Sequence, residues 1–120
     1  AAWSSGDADA PARFFHPDAV LEDIEGGRHE GWTTIRKFFA DGLVRFPDLV
    51  LIPERFWTND TGVALTWTMS ATVTGDAFGP QHRGKRWSSP GMSYIEFDGD
   101  KVRLEVDYHT RSQIMKSLGV

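Results

Sequence analysis

The sequence has no cysteine in its 120 residues, which excludes disulfide staples, thiolate nucleophiles and cysteine-type zinc sites, and makes a reducing compartment, the cytoplasm, the expected location. It has no apolar run near the roughly 20 residues a membrane-spanning helix needs, and no charged-then-apolar leader opens it. Positive charge is scarce: 13 basic against 17 acidic residues leave a net charge of -4. No basic stripe is interleaved with aromatics, so nucleic acid is not an expected partner. A glycine-rich phosphate loop, a dinucleotide fingerprint and a nucleophile elbow are also missing, and no organic cofactor is expected. The four histidines, His16, His29, His82 and His109, include no pair at the i, i+4 spacing of a helical zinc motif. No metal is expected either.

What is present suffices for one core. Hydrophobic residues make up 40% of the chain and aromatic residues 12%, enough for a single domain over residues 1–120. The chain opens Ala1-Ala2-Trp3 without a methionine, so the first helix is expected to be cut short at its N-terminus. Gly6-Asp7 followed by Ala8 to Phe15 reads as a cap and a short helix, with Pro17 as its stop. Asp18 to Ile24 reads as a strand ended by Gly26-Gly27. From Ile35, apolar or small residues recur at Phe38, Phe39, Gly42, Leu43 and Phe46, one face of a helix that Pro47 closes. Beyond it the period becomes two, predicting strands at Leu49 to Trp57, Val63 to Thr74, Arg86 to Phe97 and Val102 to His109. Asn59 to Gly62 and Asp98-Gly99 are turn signals, the former read as a turn although Asn59-Asp60-Thr61 matches a glycosylation acceptor; Gly75 to Gly84 is a longer loop. Thr110 and Gln113 are spaced as a capping box for a last helix that Gly119 closes. This order predicts an α+β fold: a mostly antiparallel sheet with helices gathered on one side.

The order of elements, with Trp3-Ser4-Ser5-Gly6-Asp7, Phe15-His16-Pro17-Asp18-Ala19-Val20-Leu21-Glu22-Asp23, Gly31-Trp32-Thr33-Thr34-Ile35-Arg36-Lys37-Phe38-Phe39, Gly84-Lys85-Arg86 and Asp98-Gly99-Asp100-Lys101-Val102, resembles the nuclear transport factor 2 superfamily. The likeness is to its SnoaL-like polyketide cyclase and ketosteroid isomerase-like branches. It implies a cone-shaped fold, a curved sheet wrapped by short helices around one pocket for a small apolar organic molecule, in a protein that is commonly dimeric.

Two carboxylates stand out. By resemblance to ketosteroid isomerases, Leu21-Glu22-Asp23 matches the segment carrying the proton-shuttling aspartate; a carboxylate in an apolar pocket has its pKa raised toward the range where it can accept and return a proton. The isomerases' tyrosine would precede Ala1, and Ser93 stands where their second aspartate does. Asp107 matches a catalytic aspartate of limonene-epoxide hydrolases and the acid/base aspartate of SnoaL-like cyclases. The hydrolases' arginine and second aspartate appear as Thr68 and Ser70, and the cyclases' strand-end histidine is replaced in Thr72-Val73-Thr74-Gly75.

Around Asp107, alternation offers Thr68, Ser70, Ser89 and Ser93 as polar neighbours. His109 is its expected hydrogen-bond partner, Trp32 and Phe38 are expected to shape the pocket, and Trp87 is a further wall candidate. The last predicted strand puts Val102, Leu104, Val106 and Tyr108 on one face and Arg103, Glu105, Asp107 and His109 on the other. If the charged face turns inward, a second subunit can cover the apolar one, making a homodimer. The expectation is a cofactor-independent acid/base enzyme in which Asp23 and Asp107 carry protons. The alternatives are a non-catalytic ligand-binding domain and a hydrolase or lyase related to limonene-epoxide hydrolase.

Overall fold

A computed structural model describes residues 4–119. Six strands, β1 (Phe15–Asp23), β2 (Gly27–Glu30), β3 (Val50–Thr58), β4 (Gly62–Thr72), β5 (Arg86–Asp98) and β6 (Lys101–Tyr108), are joined by helices α1 (Trp32–Arg45) and α2 (Arg111–Ser117). They form one sheet in the order β2-β1-β6-β5-β4-β3. Every pairing is antiparallel except β1 with β6, which run parallel. The expected α+β class is thus present. Register shifts at Phe15/Val20, Pro53/Arg55 and Glu96/Phe97 interrupt three ladders, and such bulges bend and twist a sheet. Pro53 sits at one of them, on edge strand β3, where a missing amide costs no ladder bond.

The largest departure from expectation is at the start. Ala8 to Phe15 is not a helix: it holds turns and a single 3-10 turn at Ala12–Phe14, and Phe15 already belongs to β1. Two prolines explain this. Pro11 and Pro17 leave too little chain between them, and the residue before a proline is pushed toward extended geometry. Phe15, 2% exposed, packs on Trp32 and Phe39 with ring centroids at 5.4 and 6.1 Å. Gly26-Gly27 follows the end of β1 as expected, and the turn there, with Gly27 at φ +86°, leads into a further strand, β2. The expected capping box is absent as well, since Thr110 Oγ1 meets Ser112 Oγ at 2.9 Å. The Arg111 amide donates instead to Glu25 Oε1 at 2.9 Å. Asn59 to Gly62 is the expected turn, closed by the Thr61 and Gly62 amides on Asn59 Oδ1.

Both helices lie on the inner face of the sheet and seal its two ends. Ile35 of α1 is buried with Phe15, Ala19 and Leu21. Ile114 of α2 is buried with Ala71, Val73, Phe78 and Trp87. Between the two clusters the inner face stays open. Among the described residues no helix is long and apolar enough to cross a membrane.

Candidate functional site

The space between the clusters is a cavity of about 430 Å³, within the range of small-molecule sites. Its walls are mainly apolar and aromatic, with Phe38, Phe46, Trp67, Phe78 and Trp87 among them, and polar groups gather where β1, β5 and β6 meet. Strand alternation puts them there. Glu105 and Asp107 of β6, and His109 just beyond it, turn inward, while Tyr108 on the other face is 50% exposed. On the parallel neighbour β1, Asp23 lies in register with Asp107, and on β5 Ser93 lies in register with Asp107 from the other side.

Asp23 sits at the β1–β2 turn. Its Oδ1 accepts the amides of Glu25 and Gly26 at 2.9 and 2.7 Å, and His109 Nε2 meets its two oxygens at 3.1 and 2.9 Å. Burial pushes the Asp23 pKa up, but the His109 hydrogen bond and charge, with the two amides, outweigh it and hold the carboxyl below its ordinary value. The same contact raises His109: the Asp23 hydrogen bond overcomes burial, and the charges of Asp23, Asp107 and Glu25 add to it. Asp23 and His109 are therefore joined by a hydrogen bond that becomes an ion pair when the imidazole is protonated, and each shifts the other toward its charged form. Asp23 has the place expected of it but not the raised pKa, because the turn amides and an imidazolium stabilise its charge.

Asp107 has the opposite surroundings. It is half-buried and lines the cavity. Burial raises its pKa and the charge of Asp23 adds to this, against hydrogen bonds from Glu105 and Ser93 and the charge of His109. Ser93 Oγ donates to Asp107 Oδ1 at 2.7 Å. Glu105, 6% exposed, is raised well above its ordinary value, first by burial and then by Asp107. Each acid thus raises the other's pKa or shares its proton, and burial favours the neutral form of both.

The other expected site residues divide. Phe38 lines the cavity and stacks on His29 at 4.3 Å. Trp32 packs in the core against Phe15 and Phe39. Ser89 is fully buried with its hydroxyl on the Pro90 carbonyl at 3.3 Å. Thr68 and Ser70 do not neighbour Asp107: they sit on the outer face, where Thr68 donates to Glu54 at 2.7 Å and Ser70 accepts from Arg86 at 3.0 Å. The inward positions of β4 hold Leu65, Trp67, Met69 and Ala71 instead. Bulky apolar side chains at alternate positions claim the inner face, and the hydroxyls take the other. Glu105 is the residue the sequence reasoning missed, though its same-face spacing with Asp107 and His109 was the available signal. Among the described residues no three histidines or acids are grouped as metal ligands.

The sequence model of the family described as SnoaL-like domain matches residues 1–105. Similar solved structures include a protein of ketosteroid isomerase-like fold from Catenulispora acidiphila in complex with trimethylamine, 15% identical at a TM-score of 0.85, with 99% of this chain and 87% of that one covered. AclR from Streptomyces galilaeus is 27% identical at 0.79, covering 98% and 87%. A SnoaL-like polyketide cyclase from Agrobacterium tumefaciens is 18% identical at 0.80, covering 98% and 90%. These likenesses show the nuclear transport factor 2 and ketosteroid isomerase-like fold, a curved open sheet with helices on one face. No curated protein matches the chain.

Proposed function

Because the chain belongs to the SnoaL-like domain family, we propose that it is a cofactor-independent acid/base enzyme of the cyclase or isomerase kind, moving a proton beside a carbonyl of an apolar substrate held in the cavity. One observation carries this reading: Asp107 faces an apolar cavity between Glu105, an acid whose pKa burial raises, and His109, whose pKa its hydrogen bond to Asp23 raises. A carboxylate so desolvated is a stronger base than one in water, and its protonated form can return what it takes.

In the proposed step, Asp107 removes the proton from the carbon next to the carbonyl. The C–H pair becomes the C=C bond of an enolate, and the carbonyl π pair moves onto oxygen. In an isomerisation Asp107 hands the proton to a more distant carbon as the pair shifts back. In a cyclisation the enolate carbon attacks a second carbonyl of the same molecule, and the new alkoxide takes the proton from Asp107. Positive charge on His109 opposes the negative charge that develops on oxygen, and Glu105 stays neutral beside the base.

The test uses 2-tetralone, a bicyclic ketone with an acidic C–H, in deuterated buffer. The intact chain is expected to speed deuterium entry at the carbon beside the carbonyl, followed by proton NMR. If 2-tetralone quenches tryptophan fluorescence, and so binds, but exchanges no faster than in buffer, the acid/base reading falls and a ligand-binding domain stands in its place. The outer face exposes Met92 and Tyr108 together, which supports a homodimer through that face. Sedimentation of a dimer for the intact chain and a monomer for Tyr108→Glu is the expected result, and a monomeric intact chain would sink it.

A further inference from the structure

Trp67 of β4 lies directly across the ladder from Gly91 of β5. A Cβ on Gly91 would fall 2.1 Å from the indole Cη2 and 2.4 Å from Cζ2 and Cζ3. The benzo ring thus fills the place where any other residue keeps its side chain. From there the indole reaches the next inward position of β5, where Nε1–H donates to Ser93 Oγ at 2.9 Å. The same oxygen donates to Asp107 Oδ1 at 2.7 Å. An indole only donates, and a hydroxyl has one proton. With Trp67 bonded to its oxygen, Ser93 must spend that proton on Asp107.

We propose that Trp67, seated on Gly91, is a positioning residue for Asp107: it fixes the direction of the Ser93 hydroxyl, so that the carboxylate keeps one constant donor and one orientation toward the cavity. This rests on the reading of Asp107 as the base. The titrating groups that act on Asp107 are Glu105 of its own strand, His109 just beyond it and Asp23 of β1. Each changes its hydrogen bonding or charge as it gains or loses a proton, and Ser93 does not. A base that must present one lone-pair direction to a C–H bond needs such a partner. It also follows that Ser93 is not free to donate to the substrate oxygen, a role its place in the resemblance to ketosteroid isomerases would suggest.

The experiment is a carbon-detected NMR titration of Asp107 in the ligand-free chain, with the indole Nε1–H of Trp67 followed in parallel. Ser93→Ala is expected to raise the Asp107 midpoint by about one unit, and Ser93→Thr, which keeps the hydroxyl, to restore it. Trp67→Phe, which leaves a ring over Gly91 but removes the N–H, is expected to move Asp107 in the same direction by about half as much. Gly91→Ala is expected to do the same and to shift the Nε1–H resonance. Should Trp67→Phe titrate like the parent while Ser93→Ala shifts, Ser93 acts without Trp67 and the proposal is overturned. An unshifted Nε1–H signal in Gly91→Ala would overturn the role of the glycine, and if that variant does not fold, Trp67→Phe decides. None of these readouts needs a substrate, so the outcome stands apart from whether 2-tetralone exchanges.

Discussion

Asp23 and Asp107 stand side by side in register on neighbouring parallel strands, yet the two walls they belong to treat them in opposite ways. Asp23 is given two backbone amides and a histidine, and its negative charge is stabilised. Asp107 is given a hydroxyl and a second acid, and its charge is tolerated. Burial pushes both carboxyls upward, so burial alone does not decide which can act as a base. The partners do. A carboxylate that is already well satisfied has little to gain from a proton, whereas one with a single hydroxyl donor and a second acid beside it does.

The strongest way to break this contrast is Asp107→Asn, which keeps the shape and the Ser93 contact but removes the base. Exchange of 2-tetralone is expected to fall by roughly 10²–10⁴-fold, and a loss below tenfold would return the proton-carrying role to Asp23. Asp23→Asn should cost less, about tenfold, because the amide oxygen can still accept the Glu25 and Gly26 amides and preserve the turn. What the variant removes is the charge that raises His109. Its titration midpoint, read from imidazole NMR, should drop toward the ordinary value of 6.5. An unmoved His109 midpoint would mean that the ion pair does not exist in solution.

Much of this contrast was readable in residue order. Leu104 to Tyr108 alternates so regularly that Glu105, Asp107 and His109 had to share a face, and Asp23 had to come at a strand end because glycines follow it; Val102, expected on the face of Leu104, is instead buried with Ile35 beyond the register shift at Glu96/Phe97. Which face looks inward was harder to read. Alternation separates Trp67 from Thr68 but does not say which of them meets the cavity, and choosing the hydroxyls as neighbours of an acid led to Thr68 and Ser70. The bulk of Leu65, Trp67 and Met69 against the openness of the outer face settles it the other way. Glu105 escaped because a carboxylate on an amphipathic strand is usually wet, and only a cavity plus a neighbour to share a proton makes its burial bearable. The helix expected over Ala8 to Phe15 failed for a local reason: alanines favour it, but a proline early and a proline late leave no room for two turns.

The finest test of the contrast is thermal stability against pH, where the two walls should pull in opposite directions. Asp23 has a lowered folded pKa, so its contribution is present above the unfolded value of 3.8 and is lost as pH falls through the folded one. Glu105 and His109 have raised folded pKa values, so their contributions are complete below the unfolded values of 4.5 and 6.5 and are lost as pH rises through the folded ones. The melting temperature should therefore peak on the acid side of neutrality and decline as pH rises through the folded pKa values of Glu105 and His109. Glu105→Gln, neutral at every pH, should flatten that decline, by roughly 1.4 kcal/mol for each unit by which the folded pKa is raised. His109→Gln should instead lower the peak, because it removes the cation from Asp23 while Glu105 keeps its slope. Parallel curves for the parent and Glu105→Gln would mean that Glu105 titrates normally in the fold, and the two walls would then differ only in which of them holds the histidine.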